Sequence, residues 1–113
     1  LEPEADLISD AKACNPKVTF ERGRAEEMDF EEDKFNLIVS WTVLQHIPDK
    51  TLESVAKEMK RVVKPSGNII LAEETRGDDW GSGWVRSEDE YENLFKPFSI
   101  SWKKYRDIGR DFL

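Results

Sequence analysis

Leu7, Ile8, Ala11 and Cys14 fall on one stripe of a helix over residues 5–14. Asn15-Pro16 ends that helix, because the residue before proline avoids helical angles. Lys17 to Glu21 is a short β-rich run with Gly23 behind it, and Ala25 to Asp33 is acidic and irregular. Phe35 to Ser40 is nearly continuous in apolar residues, as expected of a strand covered on both faces. Pro48-Asp49 predicts a helix start. Leu52, Val55, Ala56, Met59, Val62 and Val63 then line one face, with Lys50, Glu53, Lys57 and Lys60 outside. Lys64-Pro65-Ser66-Gly67 reads as the closing turn, with Gly67 at positive φ. Asn68 to Glu73 predicts a second buried strand around Ile69-Ile70-Leu71-Ala72, and a turn-rich loop over residues 76–83 holds Trp80. Ser87 and Glu90 form a capping box before a short helix showing Tyr91, Leu94 and Phe95. Phe98, Ile100 and Trp102 alternate with polar residues and predict a last strand. Strands alternating with helices imply an α/β fold with a mostly parallel sheet.

Composition narrows what such a fold can do. The 113 residues allow one domain, 1–113. Twenty-four acidic residues against 17 Lys and Arg give a net charge of −7. That balance argues against neutralising a nucleic-acid backbone and against a polybasic membrane patch. No apolar run reaches the ~20 residues that span a bilayer. Cys14 is the single cysteine and His46 the single histidine. An internal disulfide is therefore impossible, a transition-metal cluster is not expected, and the natural compartment is the cytoplasm. The chain opens on Leu1 rather than Met, without a signal-peptide pattern, which predicts a sequence cut from something longer.

Four segments carry a resemblance. Phe35-Asn36-Leu37-Ile38-Val39-Ser40-Trp41-Thr42-Val43-Leu44-Gln45-His46-Ile47-Pro48 resembles the fourth strand and following turn of class I S-adenosylmethionine-dependent methyltransferases. Met59 to Leu71 is similar to their R-x-L-K-P-G-G helix exit and fifth strand. Val18 to Phe30 is similar to their third strand and G-x-A-E-x-L-P-F turn. Leu1-Glu2-Pro3 stands where the family ends its second strand on an acidic residue. Each segment alone is weak, but order and spacing hold over residues 1 to about 105. The resemblance implies a Rossmann-like sheet flanked by helices, here incomplete. The family's first strand and glycine-rich cofactor loop belong upstream of Leu1. Asn36 replaces an aspartate, Ser66 a glycine, and Arg24 an aspartate that in many members reaches the adenine amino group.

The same resemblance implies roles for individual residues, most with a plainer alternative. Glu2 would accept hydrogen bonds from both ribose hydroxyls of the cofactor, as an acidic residue does in nucleotide folds; otherwise it is a solvated acid at a helix start. Pro3 would cover the adenine edge, or simply begin a helix. Ala25 and Glu26 would flank the adenine, or belong to a solvated acidic loop. Ser40 and Trp41 would lie beside the methionine part of the cofactor, or pack in the core. His46 offers a general base, although in relatives the matching histidine organises the turn. Glu73 and Glu74 would face an amine substrate. Trp80 and Trp84 either lid the pocket or anchor their loop. Gly81-Ser82-Gly83 is no dinucleotide fingerprint, since Arg86 takes the third glycine position.

The expected function is methyl transfer from S-adenosyl-L-methionine to an acceptor of unidentified class, by a truncated domain. The rivals are a non-catalytic binding or regulatory module that keeps the fold, and a nucleotide-dependent dehydrogenase on a related sheet. Without the first strand, the strand at 35–40 has an unpaired apolar edge, so the chain is expected to associate edge to edge, swap elements between copies, or cover the gap with another segment.

Overall fold

The computed structural model describes residues 1–75 and 84–103. Its order is α1 (Ala5–Cys14), β1 (Phe35–Trp41), a 3-10 turn (Leu44–His46), α2 (Asp49–Val62), β2 (Val63–Ala72) and α3 (Glu88–Leu94). β1 and β2 pair in parallel, from Phe35 opposite Val63 to Trp41 opposite Ala72. Parallel neighbours need a crossover connection, and α2 supplies it.

Side chains alternate across this sheet. Ile38, Ile69 and Leu71 pack on one face against a buried cluster of Leu44, Leu52, Val55, Ala56, Met59, Tyr91 and Phe95. α2 contributes Leu52, Val55, Ala56 and Met59, at the helical spacing expected, and Tyr91 of α3 with Phe95 just beyond it closes the cluster. A Leu, Val, Met or Phe side chain so buried is worth roughly 1.5–3 kcal/mol. On the opposite face Leu37, Val39, Trp41 and Ile70 stay exposed. The continuous apolar run at 35–40 therefore does not mark a strand covered on both faces by the described residues.

The amino-terminal part is thinner. Glu2 and Arg22 form an isolated parallel bridge, with Glu2 N–H donating to Glu21 O (3.0 Å) and Gly23 N–H to Glu2 O (3.1 Å). The strand expected over Lys17–Glu21 is reduced to this bridge. Val18 is exposed, so little burial holds a longer ladder. In α1 only Ile8 is buried, while Leu7 and Cys14 face out.

Two connections differ from their sequence reading. Between Val63 and Asn68 the β2 chain bulges around Asn36, so the turn expected at Lys64–Gly67 becomes an irregularity inside the strand. Gly67 serves close approach rather than a positive φ: a Cβ there would stand 2.8 Å from Asn36 O and 2.8 Å from Val63 Cγ2. The expected strand at Phe98–Trp102 has no regular structure and no ladder among the described residues. Its alternation is real, since Ile100 and Trp102 pack on the core and Trp102 Nε1 donates to Glu92 Oε1 at 2.8 Å. Alternation marks a half-buried face and cannot supply a neighbouring strand. At α3 the capping expectation holds at its first half, Glu90 N–H donating to Ser87 Oγ at 3.2 Å.

The acidic stretch 25–33 is strapped to α2. Arg61 donates to Phe30 O, Met28 O and the Glu58 carboxylate. Glu58 in turn accepts from Met28 N–H at 2.9 Å. The Arg61 guanidinium, through these bonds, holds the Glu58 carboxyl below its ordinary range; burial opposes the shift and Met28 N–H adds to it. The strap sets Ala25 and Met28 against the core.

Candidate functional site

The carboxyl ends of β1 and β2 lie side by side, and the chain beyond each is tied to the other. Glu73, the first residue after β2, is half-buried. Its Oε1 accepts from Ser40 Oγ (3.1 Å), Val43 N–H (3.3 Å) and Leu44 N–H (3.1 Å). Its Oε2 accepts from Gln45 N–H (3.2 Å). Gln45 Oε1 returns the contact, accepting from Glu74 N–H at 2.9 Å. The first N–H groups of a helical turn have no partner within it, and here a single carboxylate supplies one. Hydrogen bonds to a charged acceptor are about twice as strong as neutral ones.

The carbonyl side of the same turn is held by Arg86, which is 4% exposed. Arg86 Nη1 donates to Leu44 O (2.8 Å), Nη2 donates to Ile47 O, and Nε and Nη2 reach Asp49 Oδ1 at 3.0 and 2.9 Å. A buried guanidinium is tolerable because its donors are matched. Trp84 N–H adds a bond to Gln45 O at 2.6 Å. Beneath the turn the buried Tyr91 hydroxyl has no hydrogen-bond partner among the described residues. Burial pushes its pKa up, the nearby Glu73 charge adds to that, and Arg86 pulls it back.

Where the turn begins, Thr42 has φ 52°, an outlier for a β-branched residue. Such a conformation costs on the order of 1–3 kcal/mol and persists only where its surroundings fix it. Thr42 N–H donates to Ala72 O at 2.7 Å, and the backbone N–H bonds to Glu73 begin one residue later.

The expected site residues fall into two groups. Ser40, Trp41, His46 and Glu73 gather at the β1–β2 end. Ser40 is buried with its hydroxyl on Glu73, whereas Trp41 points to the other face and is 71% exposed. His46 is exposed, and its imidazole makes no hydrogen bond among the described residues. Glu2, Pro3, Ala25 and Glu26 gather near the Glu2–Arg22 bridge. Glu2 Oε1 accepts from Glu4 N–H (3.1 Å), Arg22 Nε donates to Pro3 O (3.2 Å), and Arg24 pairs loosely with Glu26 at 3.8 Å. Ala25 is half-buried against the core. Among the described residues no hydrogen bond joins Glu2 or Pro3 to Ser40, Trp41, His46 or Glu73. Trp80 and Gly81-Ser82-Gly83 lie outside the described residues. Gln45, Arg86 and Tyr91 had carried no functional sign in the sequence, because their roles come from contacts far apart along the chain.

A family profile described as a methyltransferase domain matches residues 1–67. The chain belongs to this family of methyltransferase domains. Demethylmenaquinone methyltransferase of Bacillus subtilis is 36% identical over 98 residues, covering 80% of this chain and 40% of that protein. An uncharacterized methyltransferase of Synechocystis is 29% identical over 80 residues, covering 71% and 38%. The chain thus spans about two fifths of the length of these relatives. Among solved structures, a Bacillus halodurans protein assigned as a methyltransferase superposes with TM-score 0.66 at 17% identity, over 82% of this chain and 48% of that one. YcgJ of Bacillus subtilis gives 0.61 at 23%, over 80% and 44%. These two confirm the fold expectation: an incomplete Rossmann-like α/β methyltransferase fold. Within it, both groups of expected site residues stand where parallel pairings end, the place where open α/β sheets bind ligands.

Among the described residues no set of three or more His, Cys, Asp or Glu is placed to hold a metal ion. No helix among them is long and apolar enough to cross a membrane.

Proposed function

We propose that these residues are the carboxyl-side portion of an S-adenosyl-L-methionine-dependent methyltransferase domain, completed by a glycine-rich loop and strand upstream of Leu1. The observation that carries this reading is the family match over residues 1–67, which contains every residue expected to hold the cofactor. The named relatives being methyltransferases supports methyl transfer over hydride transfer. The alternative, a non-catalytic module on the same fold, predicts no turnover after completion.

The residues present fit the nucleoside end of the cofactor. Glu2 Oε1 is bound to Glu4 N–H while Oε2 has no partner among the described residues, which suits an acceptor for a ribose diol. Pro3, Ala25 and Glu26 flank it as the adenine side, and Arg24 takes the place of the aspartate expected there. Ser40 and Trp41 belong to the methionine side. When bound, the cofactor supplies a methyl group on a sulfonium leaving group. The protein's part is then to hold the two reactants in line and exclude water. His46 sits on the acceptor side, and we assign it to the turn rather than to proton transfer.

We further place the protein in the cytoplasm, with a methyl acceptor as its partner and without nucleic acid or membrane. The exposed free Cys14 supports a reducing compartment.

The test is methyl transfer from labelled S-adenosyl-L-methionine by a chain extended upstream. Demethylmenaquinone is the first acceptor to try, since it is named by the Bacillus subtilis relative. The extended protein is expected to turn over one acceptor of a panel. Glu2→Ala should weaken cofactor binding by roughly 1.5–3 kcal/mol, the worth of hydrogen bonds to a charged group. Failure of the extended protein to bind cofactor would contradict the proposal.

A further inference from the structure

We propose that Glu73 is a positioning residue: its carboxylate fixes the turn that presents Thr42 and His46 beyond the β1 end, on the methyl-acceptor side. The inference rests on the methyltransferase reading and changes the expected part of Glu73, which was to face an amine substrate. Both carboxylate oxygens are engaged by the chain's own donors. Oε1 receives Ser40 Oγ and the N–H groups of residues 43 and 44, and Oε2 receives that of residue 45. A carboxylate so occupied is poorly placed to bind a cationic substrate and well placed to shape a loop.

Three further features converge on the same turn. Thr42 enters it at φ 52°, a conformation its surroundings must enforce. Gln45 closes a reciprocal loop with the β2 end through Glu74 N–H. Arg86 fixes the opposite, carbonyl side. The turn is thereby clamped from both sides by groups of opposite charge, and of these only Glu73 is adjacent in sequence to β2. Movement of the β2 end would pass directly to the residues beyond β1.

Amide exchange by NMR on the upstream-extended chain tests this, with S-adenosylhomocysteine as the binding probe. In Glu73→Ala, exchange at Val43, Leu44 and Gln45 should quicken roughly ten- to hundredfold, as expected for losing hydrogen bonds to a charge. Amides in α2 and at residues 37–40 should keep their rates. Glu73→Gln sharpens the readout. Its oxygen should take the three-donor side, leaving Val43 and Leu44 protected, while its NH2 group faces Gln45 N–H and exposes it. Affinity for S-adenosylhomocysteine should stay within about threefold in Glu73→Gln, since the amide oxygen on the three-donor side keeps the Ser40 Oγ bond and with it the cofactor side.

Unchanged exchange at 43–45 in the alanine variant overturns the proposal. So does a uniform rise at every amide in Glu73→Gln, which would make Glu73 a general staple. A tenfold loss of probe affinity with the turn intact also overturns it, by moving Glu73 to the cofactor side. If Glu73→Ala fails to fold, the glutamine pattern alone decides. Wild-type protein that shows the exchange pattern but does not bind the probe supports the clamp and sinks the methyltransferase reading instead.

Discussion

α1 and α2 are both helices with an apolar stripe beside a parallel pairing, yet they end differently. α2 buries Leu52, Val55, Ala56, Met59 and Val62, and the strands on either side of it run in a ladder to Trp41 and Ala72. α1 buries Ile8 alone, and its neighbouring strands meet in one bridge. The two regions differ in what surrounds them. The α2 region has α3 and the segment carrying Ile100 and Trp102 to close its core. The α1 region, like the outward face of β1, has no such cover among the described residues, and Leu1, Leu7, Val18, Leu37 and Val39 are all about half exposed. An amphipathic pattern states which side wants burial. Whether burial occurs depends on a partner elsewhere in the chain or beyond it.

The largest effect should come from truncating the core on each side of this comparison. Leu52→Ala removes a side chain from the closed cluster and should cost about 2–5 kcal/mol, as large-to-small core changes do. Ile8→Ala should cost clearly less, because its surroundings are open and can relax into the space. Denaturant melts of the two variants against the parent would check the ordering; equal losses would show that α1 belongs to a packed core.

A smaller effect should follow pH, through the strap that joins the acidic stretch to α2. The folded-state pKa of Glu58 lies below its unfolded value near 4.5, because of Arg61 first, against burial, and Met28 N–H. Its contribution to stability is therefore complete above about 4.5 and is lost as pH falls through the lower folded value. Thermal melts between pH 6 and about pH 3 should show a loss that Glu58→Gln reduces. An unchanged pH slope in that variant would remove Glu58 from the account.

The sequence announced α2 and β2 well, because six apolar positions at helical spacing and an Ile-Ile-Leu run leave few other arrangements. It misjudged the strands at 17–21 and 98–102, since β structure needs a neighbour that no local pattern names. Gly67 was rightly singled out for the wrong cause: its requirement is the carbonyl of Asn36, thirty-one residues away. The strand ends at Ser40, Trp41 and Glu73 were legible through the family pattern. Their wiring was not, because Glu73, Gln45 and Arg86 meet only after folding. A sequence shows that Glu73 ends a strand, but not that its oxygens are already taken.

The most direct test of the contrast is hydrogen exchange on residues 1–113 beside the upstream-extended chain, with sedimentation at several concentrations. In residues 1–113 we expect Val55, Ala56 and Met59 to be protected while Glu2 and Gly23, whose N–H groups make the lone bridge, exchange nearly freely. We also expect this shorter chain to self-associate through the free edge of β1 as concentration rises. In the extended chain Glu2 and Gly23 should gain protection and the association should disappear. Strictly monomeric residues 1–113 with Glu2 and Gly23 protected as well as Val55 would contradict the account, showing that the amino-terminal region completes itself without a strand from upstream.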